Sequence, residues 1–67
     1  PMSYRDVANK VREAGFAYRR TTGSHEVWWN FKTTRTCVIP RHFQIAPGSV
    51  RSIVKQMGLS EKEFRDL

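Results

Sequence analysis

Three side chains in this sequence of 67 residues are imidazoles or thiols, the groups best suited to move a proton, supply a nucleophile or hold zinc near neutral pH: His25, Cys37 and His42. His25 follows Gly23-Ser24 and leads into the aromatic run Val27-Trp28-Trp29-Asn30-Phe31, with Arg19 and Arg20 before it and Lys32 and Arg35 after it. Histidine as a class titrates at about 6.5 and so suits proton transfer. Cations beside it suit a substrate that carries phosphate. Together they point to acid–base chemistry on a nucleic acid. Cutting RNA without a metal requires deprotonation of a ribose 2′-OH, protonation of the leaving 5′-oxygen, and cations facing the phosphorane. His25 is the candidate proton carrier, and Arg20, Lys32, Arg35 and Arg41 are the candidates for the phosphate. His42 is expected to hold its loop by hydrogen bonds to backbone, the alternative being a second proton carrier. Glu26 should point away from His25, because neighbours in a strand face opposite ways.

Other chemistries fit poorly. His25, Cys37 and His42 lack the short paired spacings of structural zinc ligands. The six acidic residues lie mostly near the ends of the chain rather than in a carboxylate cluster, which disfavours Mg²⁺-dependent hydrolysis. One domain spanning residues 1–67 is expected, with a modest core and no deep pocket for a cofactor. The lone Cys37 excludes an internal disulfide and favours a reducing cytoplasm. It reads as a small buried hydrophobe. No signal peptide or membrane span is expected. Pro1 ahead of Met2 reads as an added residue, with Met2 the expected native start.

The net charge is +6. Arg19, Arg20, Lys32, Arg35, Arg41, Arg51 and Lys55 fall between residues 16 and 57, where Glu26 is the sole acid, so this stretch alone carries 7 − 1 = +6. Such a concentration favours a polyanionic partner, since neutralising phosphates releases counterions.

The elements that must position these residues can be read in turn. Ser3 and Asp6 form a variant capping box ahead of an apolar stripe of Tyr4, Val7, Ala8, Val11 and Ala14 at helical spacing, and Gly15 ends the helix. Phe16–Thr22 and His25–Lys32 read as strands joined by the Gly23-Ser24 turn. In the second strand His25, Val27, Trp29 and Phe31 form the more apolar face and are expected to look at the core. Glu26, Trp28 and Asn30 then look outward, leaving Trp28 half-exposed. Packing within the sheet is the first expectation for both tryptophans, and Trp28 is the one exposed enough to stack on a base. Thr36–Ile39 reads as a third strand ended by Pro40, and residues 41–46 as a loop. Pro47 starts a helix with the stripe Val50, Ile53, Val54 and Met57, stopped by Gly58. Ser60 and Glu63 cap a short last turn that packs Phe64 and Leu67. The fold class is α+β in the order α-β-β-β-α, a three-stranded antiparallel sheet with two helices on one face and a short C-terminal helix.

In that order the stretches Gly23-Ser24-His25, Ile39-Pro40-Arg41-His42, Ala46-Pro47-Gly48-Ser49-Val50-Arg51-Ser52-Ile53 and Gly58-Leu59-Ser60 with Glu63-Phe64 resemble the HicA family of toxins from prokaryotic toxin–antitoxin pairs. The Lys32-Thr33-Thr34-Arg35 connection departs from the Pro- and Gly-containing turn expected there. The resemblance implies a double-stranded-RNA-binding-domain-like fold, ribonuclease action on messenger RNA, and a catalytic histidine at His25. It also implies inhibition by a HicB-type antitoxin, which would carry any operator-DNA binding. The antitoxin is expected to be acidic and to cover His25. The residues expected at RNA are Arg19, Arg20, Ser24, Trp28, Lys32, Arg35, Arg41 and His42. Two alternatives differ in kind. One is a non-catalytic RNA-binding module, with the same cations tracking phosphates. The weaker one is a DNA reader using Arg51, Ser52, Lys55 and Gln56, which lacks a preceding helix-turn-helix partner.

Overall fold

Ser3 starts the first helix by accepting the Asp6 N–H on its Oγ at 3.1 Å, while the reciprocal bond from Asp6 is not made. The computed structural model describes every residue from Pro1 to Leu67. The elements are β1 (Met2–Ser3), α1 (Tyr4–Glu13), β2 (Ala17–Thr22), β3 (His25–Asn30), β4 (Arg35–Pro40), β5 (Gln44–Ile45), α2 (Pro47–Met57) and α3 (Glu61–Arg65). Gly15, at φ 99°, turns the chain out of α1, and Gly58, at φ 79°, ends α2 in the left-handed region that glycine tolerates. The Ser60–Glu63 capping box forms in full. No helix is long and apolar enough to cross a membrane.

Strands β2, β3 and β4 form an antiparallel meander with β3 in the centre. A bulge between Tyr18 and Arg20 interrupts the β2–β3 register. Both helical stripes point at one face of this sheet: Val7, Ala8 and Val11 from α1 and Ile53, Val54 and Met57 from α2 meet Trp28, Cys37 and Ile39. Phe64 of α3 joins them, and Leu67 stays partly exposed. Lys10 of α1 caps the end of the chain, donating from Nζ to the carbonyls of Phe64, Arg65 and Leu67 at 3.2, 3.1 and 2.9 Å. The expected loop over residues 41–46 contains β5, which pairs antiparallel with β1. A ladder of two residues on each side is too short for periodicity to reveal.

The face of β3 expected outside is the one inside. Glu26, Trp28 and Asn30 are buried, at 4%, 2% and 5% exposure, whereas His25 is exposed and Val27 and Trp29 are half-buried on the other side. Phe31, expected at the core, lies in the turn after β3 at 81% exposure. The reason is that the polar groups of the inner face are satisfied by partners from elsewhere in the chain. Tyr4 donates its hydroxyl to Glu26 Oε1, which also accepts the Trp28 indole N–H at 3.1 Å, and Arg41 pairs with Oε2 at 3.5 Å. Asn30 donates to the Ala14 carbonyl at 3.3 Å and accepts the N–H groups of Lys32 and Thr33 at 3.0 and 3.2 Å, which organises the turn before β4. No buried side-chain nitrogen or oxygen lacks a partner. A polar residue that keeps its hydrogen bonds can be buried at little cost, and the large indole of Trp28 gains most from the core. Trp28 lies under the Arg12 guanidinium at 5.2 Å and edge-on to Tyr18 at 6.0 Å, so it cannot stack on a base.

Candidate nucleic-acid cleft

Two contacts fix the start of β3. Gly23 takes φ 62° in the turn, and the Arg41 N–H donates to the Ser24 carbonyl at 2.7 Å. The turn is thereby held to the chain leaving β4, and His25 sits opposite Pro40 in the ladder. On the other side, Gln56 of α2 reaches the outer edge of β4, where its Oε1 accepts the Val38 N–H at 2.8 Å, and its Nε2 donates to Ser52 Oγ at 3.1 Å. This bond satisfies a donor that an edge strand would otherwise leave bare.

Between these walls lies an open cleft of about 320 Å³. His25, Val38, Pro40 and His42 line it from the sheet side, and Ser49, Ser52, Ile53 and Gln56 from α2. Neither imidazole makes a hydrogen bond within the chain, as every polar side-chain pairing involves other residues. The backbone-anchoring role expected of His42 is therefore not seen. Its ring instead shares the cleft with His25. Glu26 faces away from His25, as the alternation of the strand requires, and its carboxylate is taken up by Tyr4, Trp28 and Arg41.

The candidate cations are distributed differently from the expectation. No Arg or Lys lines the cleft. Arg20 pairs with Val27, and Thr22 with His25, which makes Arg20 a diagonal neighbour of His25 on the outer face. Arg19 lies over the Trp29 ring at 5.5 Å on that face. Arg41 is tied to Glu26 and lies over the Tyr4 ring at 5.7 Å, beside the cleft rather than in it. Arg35 opens β4 and Pro40 closes it, a separation of roughly 17 Å along the strand. Arg35 crosses Gly58, where an added Cβ would come within 2.6 Å of its Cζ. Lys32 is in the turn at that same far end. Lys32 and Arg35 can thus meet RNA only well away from His25. Ser24 is exposed in the turn beside His25.

Burial, and then the bond to Glu26, pushes the Tyr4 phenol up to about 12, which keeps it a donor. Burial likewise pushes the Cys37 thiol up to about 12, as befits a core residue with no reactive role. No three His, Cys, Asp or Glu side chains come together as a metal site. What the sequence reading missed is the α2 wall. Ser49, Ser52 and Gln56 recur at i, i+3 and i+7, a polar stripe bordering the apolar one, and that spacing was the available signal.

Residues 4–59 match a family model described as the HicA toxin of bacterial toxin–antitoxin. No curated protein gives a significant match.

Proposed function

The chain belongs to the HicA toxin family and is the toxin of a bacterial toxin–antitoxin system. On that premise we propose that it is a metal-independent endoribonuclease acting on messenger RNA in the cytoplasm. The observation that carries this reading is the placement of two imidazoles, His25 and His42, in one open cleft with neither ring committed to a bond inside the protein. One imidazole takes the ribose 2′-OH proton as the 2′-oxygen attacks phosphorus, and the other protonates the departing 5′-oxygen. The products are a 2′,3′-cyclic phosphate and a 5′-hydroxyl, and no external reactant is consumed. Positioned proton transfer of this kind contributes about 10²–10⁴-fold. Arg20 and Ser24 flank the cleft on the β2–β3 side and carry RNA towards it, with Arg41 beside it and Arg19, Lys32 and Arg35 contacting the strand farther off.

The partner is a HicB-type antitoxin with an acidic face. It covers His25 and the outer side of the sheet, where Val27 and Trp29 are half-exposed beside Arg19 and Arg20. Charge complementarity there speeds association at low salt. Any binding to operator DNA is supplied by the antitoxin.

Incubation of the purified protein with RNA in EDTA tests the catalytic reading. Wild type is expected to cut, a 2′-deoxy substitution at the cut site to block cutting, and His25→Ala to slow cutting by about 10²–10⁴-fold with an unchanged circular dichroism spectrum. Salt-sensitive RNA binding without cleavage at any pH would instead make the chain a binding module.

A further inference from the structure

The cleft presents a chemical problem. A scissile phosphate between His25 and His42 would develop a second negative charge, yet no Arg or Lys lines the walls. The groups that do line them are imidazoles, two serine hydroxyls and an amide. One hydroxyl has its direction fixed. The Val38 N–H can only donate, so the Gln56 atom that meets it at 2.8 Å is the carbonyl oxygen. Gln56 Nε2 is then the atom facing Ser52, and it donates to Ser52 Oγ at 3.1 Å. An oxygen that accepts this bond keeps its own hydrogen to give. A helical serine often returns that hydrogen to the carbonyl four residues back, but Ser52 makes no such bond. Its hydroxyl is left as a donor at the cleft wall.

We propose that Ser52 donates a hydrogen bond to a non-bridging oxygen of the phosphate held between His25 and His42, with Gln56 as the positioning residue that orients this donation. The site takes a phosphodiester, and because its donors other than the protonated imidazole are neutral it recognises the shape of the phosphate as well as its charge. The peripheral cations then govern how RNA arrives, and Ser52 governs how the reacting group is held. This assignment rests on the ribonuclease reading for its role in turnover, but not for its prediction of phosphate binding.

Two measurements on the whole chain separate the possibilities. In ¹H–¹⁵N spectra titrated with inorganic phosphate, signals of Ser52 and of the loop carrying His42 should move, and Ser52→Ala should weaken the binding several-fold. In single-turnover RNA cleavage, Ser52→Ala should lower the rate about 10²–10³-fold, in line with loss of one transition-state donor. Ser52→Thr, which keeps the hydroxyl, should recover most of that rate. Gln56→Glu still accepts the Val38 N–H but has no N–H for Ser52, whose hydroxyl then turns to the carboxylate. In that background Ser52→Ala should cost nothing further, a coupling that general charge repulsion by the new carboxylate would not produce. If Ser52→Ala cuts RNA like wild type while His25→Ala does not, the role of Ser52 is overturned and the ribonuclease reading stands. If phosphate shifts Ser52 and the shift is lost in Ser52→Ala, but wild type never cuts RNA, the site stands and the ribonuclease reading falls. Absence of any phosphate-induced shift at Ser52 overturns the assignment.

Discussion

Glu26 and His25 are neighbours in one strand, and they meet opposite fates. Glu26 is buried on the inner face, where a phenol, an indole and a guanidinium occupy its carboxylate. His25 is exposed on the outer face and bonds to nothing in the chain. The contrast extends along β3: the inner residues Trp28 and Asn30 are also fully engaged, and the outer face keeps partly open surface. A polar group whose bonding capacity is exhausted internally stabilises the fold. One that is held in place by backbone and register but left unbonded is available for a substrate. Strand alternation separates the two roles by a single residue.

Substitutions on the two faces should therefore move different observables. The largest effect is expected at His25: His25→Ala should lower RNA cleavage by about 10²–10⁴-fold with no fall in melting temperature. A variant that unfolds as well would erase the distinction between the faces. Trp28→Ala should cost about 3–5 kcal/mol of stability, as for other large aromatic core truncations, and a domain of this size has little more than that to lose. Trp29→Ala, on the outer side, should cost well under half as much in the same urea titration. Glu26→Ala should destabilise by about 1–3 kcal/mol, because it strands the Tyr4 hydroxyl and the Trp28 N–H without a carboxylate. Glu26→Gln should retain part of that loss, since an amide oxygen still accepts.

A separate effect is one of pH. Tyr4 and Cys37 titrate near 12 in the folded chain, above their ordinary values of 10.0 and 9.0. Between those ordinary values and about 12 the unfolded chain releases protons that the folded one keeps. Stability should therefore decline as pH rises from about 9 towards 12, with both contributions intact below that window. Denaturation midpoints that stay level across it would show that neither group is buried as described.

The parts legible in the sequence are those with local causes. The stripes of α1 and α2, the Ser3 and Ser60 caps and the glycine stops at Gly15 and Gly58 all depend on residues within a turn or two of one another, and all appear where spacing places them. The orientation of β3 was misread because its cause is not local. Counted by polarity, Glu26 and Asn30 belong outside. They lie inside because Tyr4, 22 positions from Glu26, and Ala14, 16 positions from Asn30, supply the missing bonds. His25 at the start of β3 was legible from the turn chemistry alone. The α2 wall of its cleft was not, because the contact from Gln56 to Val38 spans 18 positions and polar spacing on a helix does not say what it faces. The same limit applies to the cations: nearness to His25 in sequence favoured Lys32 and Arg35, but the β3–β4 ladder carries them to the opposite end of the sheet.

Lys10 has a further consequence for motion. Its ammonium ties three carbonyls that lie 54 to 57 positions later in the chain, and it rests 5.5 Å from the centre of the Phe64 ring. A helix as short as α3 does not persist by itself. Its order is borrowed from α1, so the two should open and close as one cooperative unit, with the amides of α3 sharing the exchange protection of the first helix rather than fraying as a free terminus.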